Sequence, residues 1–210
     1  MKLHDLMRMG DVQRWHIVAT ARSQTVADHS MRVTAIGMRI YELKYPMTSN
    51  CAGSELMCAL LFHDAPEVLL GDTPAPSKER VAMCAGMPSL YTDADRATMP
   101  TIPYSGTRLP LPEWVSNIVG LADMIEASTW ISDHGSGEYA RWVSAGCSSK
   151  MWDFANKTGM SEIAQQVVHE IQYSTEYVKE RDSRPICNVS REELQQAIDE
   201  IEQRSRDARN

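Results

Sequence analysis

Apolar residues recur at intervals of three and four along most of the chain, which is the spacing of one face of an α-helix. Between Val26 and Lys44, for example, the repeating positions are His29, Val33, Ile36 and Ile40. The alternation of apolar and polar residues that is typical of half-buried strands is nearly absent. We therefore predict an all-α fold of about six to eight helices.

The same spacing predicts further helices over Ser54–Leu69, Glu113–Ser132 and Met160–Arg181. A C-terminal helix is expected from Ser190, because Glu193 follows at the three-residue offset of a capping box.

Two stretches between these helices are predicted to be loops. The first runs from Pro46 to Gly53, and the second, Met87–Pro112, holds five prolines in a mostly polar segment. Irregular loops as long as 87–112 are usually functional lids or partner contacts. With these connections, residues 1–210 are expected to form a single domain.

Composition and charge narrow the classes of protein. A hydrophobic fraction of 43% excludes disorder throughout. The chain has no apolar run long enough to cross a membrane, and its charged first residues do not resemble a secretory signal, so a cytoplasmic protein is expected. The net charge of −7 (21 basic against 28 acidic residues) argues against binding of a nucleic acid polymer. An anionic substrate would need a few placed cations or a metal ion.

Polar side chains interrupt the apolar faces at a few positions that suggest metal chemistry. His63 and Glu67 are four residues apart, which predicts one shared helical face, and Asp64 follows His63 directly. His29 and Asp123 lie on the apolar stripes of an earlier and a later helix. Packing of these helices would bring the groups together, and a divalent cation usually compensates such a buried cluster. Two imidazoles and two carboxylates suit Mn²⁺, Co²⁺, Fe²⁺ or Zn²⁺.

The arrangement of these residues resembles a known family. The motif HDAPEVLLGDTPAPSK over 63–78, with Arg14-Trp15, Asp28-His29-Ser30 and the later Asp123, is similar to the HD-domain metal-dependent phosphohydrolases. Within that family the bacterial 5′-deoxynucleotidases and the viral dATP triphosphohydrolases are the most similar branch. The resemblance covers residues 1–80 and the surroundings of Asp123. It implies a single HD-domain helical bundle and a reaction that removes 5′ phosphate from 2′-deoxyribonucleotides by metal-activated water.

The resemblance also implies the role of each catalytic residue. The metal ligands would be His29, His63, Asp64 and Asp123, and the two aspartates would also face the substrate. The metal would be Mn, Co, Zn, Fe or Mg. Glu67 would orient or deprotonate the attacking water.

Substrate contacts follow in the same way. Arg14 would hold the phosphate as a planar, bidentate donor. Trp15 would lie against the sugar and disfavour a 2′-hydroxyl. Ile17 is assigned from its spacing rather than from the resemblance: it lies two residues beyond Trp15, so in an extended segment the two side chains would share a face, and Ile17 would limit which purine edge enters and favour adenine. Asp72 would contact the 3′-hydroxyl. The remaining predicted contacts are Thr73, Pro74 and Ala75 on the same wall, and Lys78 near outer phosphates.

Several alternatives stay open at this point. The principal expectation is a 5′-deoxynucleotidase that converts a deoxynucleoside monophosphate to deoxynucleoside and phosphate, and the alternative is a triphosphohydrolase that prefers dATP. A regulatory nucleotide-binding module and an HD-fold oxygenase are more remote, since all the predicted ligands are present and the additional histidines that two irons would need are not evident. The family has a charged helix where this chain has 87–112, which leaves phosphate number and base preference undecided. The enzyme is expected to form a homo-oligomer in the cytoplasm, or in the host cytoplasm if it is viral.

Overall fold

The computed structural model describes residues 2–46, 51–87 and 111–183, and most of this part of the chain is helical. A 3-10 turn, Arg8–Gly10, follows the first helix. The α-helices of the described residues are α1 (Leu3–Met7), α2 (Val26–Lys44), α3 (Cys51–Phe62), α4 (Glu67–Leu70), α5 (Ala75–Cys84), α6 (Glu113–His134), α7 (Gly137–Lys157) and α8 (Ser161–Ser183). Extended pairing within the same residues is limited to the isolated bridges Gln13–Thr25 and Thr20–Gly135. The predicted all-α fold is confirmed.

The core forms around α2 and α6, which pack against each other, with α3 against both and α7 against α6. Gly37 lets α2 approach α3 closely, because a Cβ at this position would clash with the Leu60 side chain. The side chains buried between these helices are mainly aliphatic: Val33, Ile40, Leu56, Leu60, Ile118, Leu121 and Ile125.

The periodic segments form helices close to the predicted bounds. α2 runs from Val26 to Lys44 as expected, and the Thr25 hydroxyl caps it by accepting a hydrogen bond from the Asp28 backbone N–H at 3.1 Å. α6 extends two residues beyond the predicted end at Ser132, and α8 two residues beyond Arg181.

The predicted helix Ser54–Leu69 is wrong in one respect that matters for the site. α3 ends at Phe62, a turn occupies 63–66, and the short α4 starts at Glu67. Pro66 explains the break, because it has no backbone N–H to donate to the Phe62 carbonyl and its ring would clash there. The Ala65 N–H donates to Phe62 O instead, at 3.1 Å.

Two other boundaries differ from the sequence expectation. α3 begins at Cys51, so the loop predicted to run from Pro46 to Gly53 is shorter than expected. Residues 137–157, for which no helix was predicted, form α7.

Some predictions fall outside the described residues. The capping box of Ser190 and Glu193 lies there, as does most of the proline-rich segment, residues 88–110. The chain divides into two compact units, Met1–Val168 and His169–Asn210, and the single-domain expectation stays a prediction. Among the described helices, none combines the length and the apolar character that a membrane span requires.

Candidate metal centre and pocket

The nonhelical segment 11–25 folds back on itself and places Arg14 and Trp15 beside the start of α2. The Arg14 N–H donates to Gln24 O at 2.8 Å, and the Val26 N–H donates to Val12 O at 2.9 Å. Trp15 has a φ of 62°, the single left-handed non-glycine backbone in the described residues. Such a conformation costs about 1–3 kcal/mol, so the surrounding contacts must hold it in place.

Three predicted ligands, His29, His63 and Asp64, meet between α2 and the 63–66 turn, and Asp123 of α6 is in contact with His29. His29 Nε2 lies 3.2 Å from each of His63 Nε2, Asp64 Oδ2 and Asp123 Oδ1. His63 Nε2 and Asp64 Oδ2 are 3.4 Å apart. Ligand atoms of His29, His63 and Asp64 lie within 4.8 Å of one another, a spacing that one metal ion can bridge.

The Nδ1 atoms of both imidazoles make hydrogen bonds, and these bonds determine where the Nε2 lone pairs point. His63 Nδ1 lies 2.7 Å from the Leu60 carbonyl oxygen and His29 Nδ1 lies 2.7 Å from Glu126 Oε2, and both oxygens act as acceptors. In neutral rings the protons therefore sit on Nδ1, and the two Nε2 lone pairs face each other. Facing lone pairs repel unless a cation lies between them, so these residues fit a divalent metal ion.

The electrostatics of the cluster also favour positive charge. Burial alone lowers the pKa of His29, but the carboxylates of Asp123, Asp64 and Glu126 outweigh it and raise that pKa well above its ordinary value. Burial alone raises the pKa of Asp64, but His63 and His29 hold it well below the usual range. The carboxylates are thus ionised and available as ligands.

Glu67 lies in the same pocket, although it does not share a helix with His63. Burial first, and then the charge of Asp64, raise the pKa of Glu67 to about 7, while Lys78 acts in the opposite direction. Lys78 Nζ donates to Glu67 Oε1 at 3.1 Å. The other oxygen, Oε2, is buried without a hydrogen-bond partner among the described residues. A carboxylate with this pKa and one unused oxygen is suited to accept a proton near neutral pH.

Arg14 lies between the pocket and the metal-binding cluster, which consists of the predicted ligands His29, His63, Asp64 and Asp123. Its Nη1 donates to Asp64 Oδ2 at 2.7 Å, and its Nε is buried with no partner in the described part of the chain. A guanidinium with a spare buried N–H can donate to an incoming oxyanion.

A cavity of about 470 Å³ opens over these groups. The predicted site residues that line it are Arg14, Trp15, Ile17, Asp64, Glu67, Asp72, Thr73, Pro74, Lys78 and Asp123. His29 and His63 are not among the lining residues, and the side chain of Ala75 lies outside the described residues.

Comparison with known proteins places this geometry in a family. Residues 3–99 match the model of the YfbR-like 5′-deoxynucleotidases. A dATP triphosphohydrolase of Salmonella phage PMBT28 is 30% identical over 162 residues, which cover 75% of this chain and 79% of the phage protein. The 5′-deoxynucleotidase YfbR of Salmonella paratyphi B is 32% identical over 74 residues, 35% of this chain and 37% of that protein.

The chain belongs to the YfbR-like HD phosphohydrolases. Among solved structures, the HD phosphohydrolase DatZ of cyanophage S-2L, bound to dA and one catalytic Zn²⁺ ion, has the same fold. It superimposes with a TM-score of 0.60 at 20% identity, over 85% of this chain and 98% of DatZ. This chain is therefore a hydrolase of the HD class, as the sequence predicted.

In this YfbR-like chain the structure adds a pocket wall that the sequence analysis missed. One face of α7 lines the cavity with Tyr139, Trp142, Val143, Gly146, Cys147 and Lys150. Tyr139 and Trp142 are stacked, with ring centroids 5.8 Å apart and an interplanar angle of 23°. The spacing of these residues is helical, so the signal was present, but nothing in it indicated which surface the face would meet.

Other contacts of the site were also missed. His16, to which no role was assigned, lies with its Nδ1 3.3 Å from Asp72 Oδ2. The sequence predicted no role for Glu126 on α6 or for Gln24. Both are buried next to the metal-binding cluster.

Proposed function

We propose that this chain is a metal-dependent hydrolase that removes phosphate from the 5′ end of 2′-deoxyribonucleotides. The observation that carries the proposal is the meeting of His29, His63 and Asp64, with Asp123 in contact with His29, beside a pocket that also holds Arg14 and Glu67. Relatives from both a phage and a bacterium are named as phosphohydrolases of deoxynucleotides.

The metal would be held by the two imidazole Nε2 atoms and by the carboxylates of Asp64 and Asp123. When bound, a divalent ion supplies Lewis acidity, which polarises the phosphate and lowers the pKa of water. DatZ binds Zn²⁺, but the donor set of this chain also suits Mn²⁺, Co²⁺, Fe²⁺ and, less well, Mg²⁺.

The chain's own residues would then bind and orient the nucleotide. Arg14 would donate its free Nε–H to a phosphate oxygen, and Glu67 would take a proton at Oε2 from the attacking water. Trp15 would pack against the sugar, where a 2′-hydroxyl would find neither space nor a hydrogen-bond partner. Ile17 would restrict the base edge and favour a purine, which agrees with the name of the phage relative, a dATP triphosphohydrolase.

The 3′ side of the sugar would meet the wall that follows α4. Asp72 would accept a hydrogen bond from the 3′-hydroxyl, held in orientation by His16 at 3.3 Å. Thr73, Pro74 and Ala75 would shape the same wall.

A triphosphate substrate is favoured over a monophosphate by two observations. The phage dATP triphosphohydrolase matches 75% of this chain, whereas the bacterial monophosphatase relative matches 35%. The pocket also carries two lysines beyond Arg14, namely Lys78 and Lys150, and outer phosphates are the groups that additional cations would meet.

The deciding experiment is a hydrolysis panel of deoxynucleoside and ribonucleoside mono- and triphosphates with each candidate metal, with products identified by ³¹P NMR. We expect tripolyphosphate from dATP and slower reaction of ATP. Orthophosphate released from monophosphates would support the 5′-deoxynucleotidase alternative. If no deoxynucleotide is hydrolysed with any of these metals, the enzyme proposal is wrong and a regulatory nucleotide-binding role is favoured.

A matched pair of variants separates the two substrates further. Lys150→Met should lower kcat/KM for dATP by about 2- to 5-fold, the effect of one exposed charge, and leave dAMP unchanged. Lys157→Met, at the far end of the same helix and absent from the pocket lining, should change neither.

Place of action and assembly are also proposals. We expect the enzyme to act in the cytoplasm, in the host cell if the chain is viral. We also expect a homo-oligomer, which light scattering on the purified protein would measure.

A further inference from the structure

A continuous series of three hydrogen bonds, two of them fully buried, connects the pocket wall to the metal-binding cluster. Trp15 Nε1 donates to Gln24 Oε1 at 2.8 Å, and Gln24 Nε2 donates to Glu126 Oε1 at 2.6 Å. Glu126 Oε2 lies 2.7 Å from His29 Nδ1. Gln24 and Glu126 are each 1% exposed and His29 is 0% exposed, so water has no access to the two bonds that Glu126 makes, whereas the bond from Trp15 is partly buried.

The direction of every bond in this chain is determined by its chemistry. An indole N–H can only donate, so the oxygen of the Gln24 amide faces Trp15 and its NH₂ group faces Glu126. The Glu126 carboxylate accepts from both sides. The proton of a neutral His29 is thereby held on Nδ1, and its Nε2 lone pair points at Asp64 and Asp123.

The residues at both ends of this series of hydrogen bonds, Trp15 and His29, need a partner that fixes their orientation. At one end, Trp15 has a left-handed backbone with a φ of 62° and lines the pocket. At the other end, His29 must present Nε2 at one orientation to act as a ligand. Gln24 suits the position between them because an amide is both an acceptor and a donor, and neither Glu nor Met can replace both bonds.

We propose that Gln24 and Glu126 are positioning residues that couple Trp15 to His29, so that metal binding and discrimination against ribonucleotides depend on each other. Glu126 fixes the orientation of the metal ligand, and Gln24 passes that constraint to the indole that faces the sugar. The part concerning the sugar rests on the proposed function, whereas the coupling of the metal-binding cluster to the indole does not.

The coupling is measured without substrate. Protein labelled with ¹⁵N-tryptophan is titrated with Zn²⁺, and the indole N–H resonance of Trp15, assigned with Trp15→Phe, is followed by NMR. In the unmodified chain this resonance should shift on Zn²⁺ binding. In Gln24→Met and in Gln24→Glu it should no longer respond, since Met removes both bonds and Glu places a carboxylate against Glu126.

Affinity and selectivity are measured on the same proteins. Glu126→Gln should lower Zn²⁺ affinity in calorimetry by about 10- to 100-fold, as is usual when the partner of a metal-binding histidine is changed. Gln24→Met should reduce the dATP/ATP ratio of kcat/KM by about 2- to 10-fold, the loss expected for one buried hydrogen bond. Ser30→Ala is the matched control, because this buried hydroxyl beside His29 has no hydrogen-bond partner among the described residues. It should leave both quantities unchanged.

Each result decides a separate point. The coupling is overturned if the Trp15 indole resonance of the unmodified protein does not shift on Zn²⁺ binding. It is also overturned if Glu126→Gln binds Zn²⁺ with full affinity. If Gln24→Met does not fold, Gln24→Glu and the titration of the unmodified chain still decide it. Coupled Zn²⁺ binding without hydrolysis of any deoxynucleotide would leave the coupling intact and refute the proposed function alone.

Discussion

The metal-binding cluster and the α7 wall of the pocket differ in how far the sequence reveals them. The cluster consists of imidazoles and carboxylates at positions where a helical core is apolar, and burying them together is costly without a cation. The wall consists of residue types found on any helix, such as Tyr139, Trp142 and Lys150. Residues that are costly to bury can be recognised as a candidate site from the sequence. Residues that shape the pocket can be recognised only once the packing of the helices is known.

The largest expected effect is the loss of a ligand from the cluster. His63→Ala or Asp64→Ala should abolish turnover and remove stoichiometric metal, because each side chain supplies one of the converging donor atoms. Circular dichroism should still show a helical protein, and metal content is measured by elemental analysis. An Ala variant that regains full activity after chelation and metal addition would mean that the ligands are misassigned.

Glu67 lines the pocket and is predicted to act in the reaction without being a metal ligand. Glu67→Gln should retain the metal and lower kcat by about 10²- to 10⁴-fold, the usual contribution of a general base. Single-turnover kinetics measure the rate and elemental analysis the metal. Loss of metal from this variant would instead place Glu67 among the ligands.

The pH dependence follows from the same carboxyl group. Burial and the neighbouring Asp64 raise the pKa of Glu67 to about 7, and the group must be deprotonated to accept a proton. Activity should therefore be present above that pKa and fall about tenfold per pH unit below it. A bound cation lowers this pKa, so the inflection of kcat/KM in the loaded enzyme should lie at or below 7. An acid limb that persists unchanged in Glu67→Gln would assign the titration to another group.

Trp15 tests the sugar side of the pocket. Trp15→Ala should narrow the deoxyribose-to-ribose ratio of kcat/KM by about 5- to 150-fold, because the indole would otherwise bury an unsatisfied 2′-hydroxyl. Parallel kinetics with dATP and ATP measure the ratio. An unchanged ratio would move the selectivity to the wall formed by Asp72, Thr73 and Pro74.

The sequence predicted the helices α2, α6 and α8 and the candidate residues of the metal-binding cluster, but neither the helix α7 nor the arrangement of the cluster. The spacing of His63 and Glu67 indicated one helix, whereas Pro66 ends α3 before His63 and the two residues reach the site from a turn and a separate helix. Both side chains still meet the pocket or the cluster. The single-helix explanation was wrong, and the roles of the two residues stay predictions.

The roles of Gln24 and Glu126 could not be predicted from the sequence, for a physical reason. Gln24 lies outside any periodic segment, and its partner Glu126 is 102 positions away, so no local pattern pairs them. The helix α7 was different, because Ala140, Val143 and Cys147 recur at helical spacing and predict an apolar face. What the pattern lacked was the information that the neighbouring Tyr139 and Trp142 would border a pocket.

The smallest expected effect concerns that aromatic pair. Trp142 is 68% exposed and stacks on Tyr139 at the edge of the cavity, where a nucleobase held by Ile17 and Trp15 would extend. Stacking of a base on an aromatic ring contributes about 1–3 kcal/mol in full contact, and an exposed ring at the rim offers the lower end of that range. Trp142→Ala should therefore raise KM about fivefold with little change in kcat. Trp152→Ala, on the same helix but outside the cavity lining, should serve as the control. Initial rates over a range of dATP concentrations separate the two constants. A fall in kcat with unchanged KM would instead mean that α7 acts in the chemical step. The division between a binding role for the α7 wall and a catalytic role for the metal-binding cluster would then be wrong.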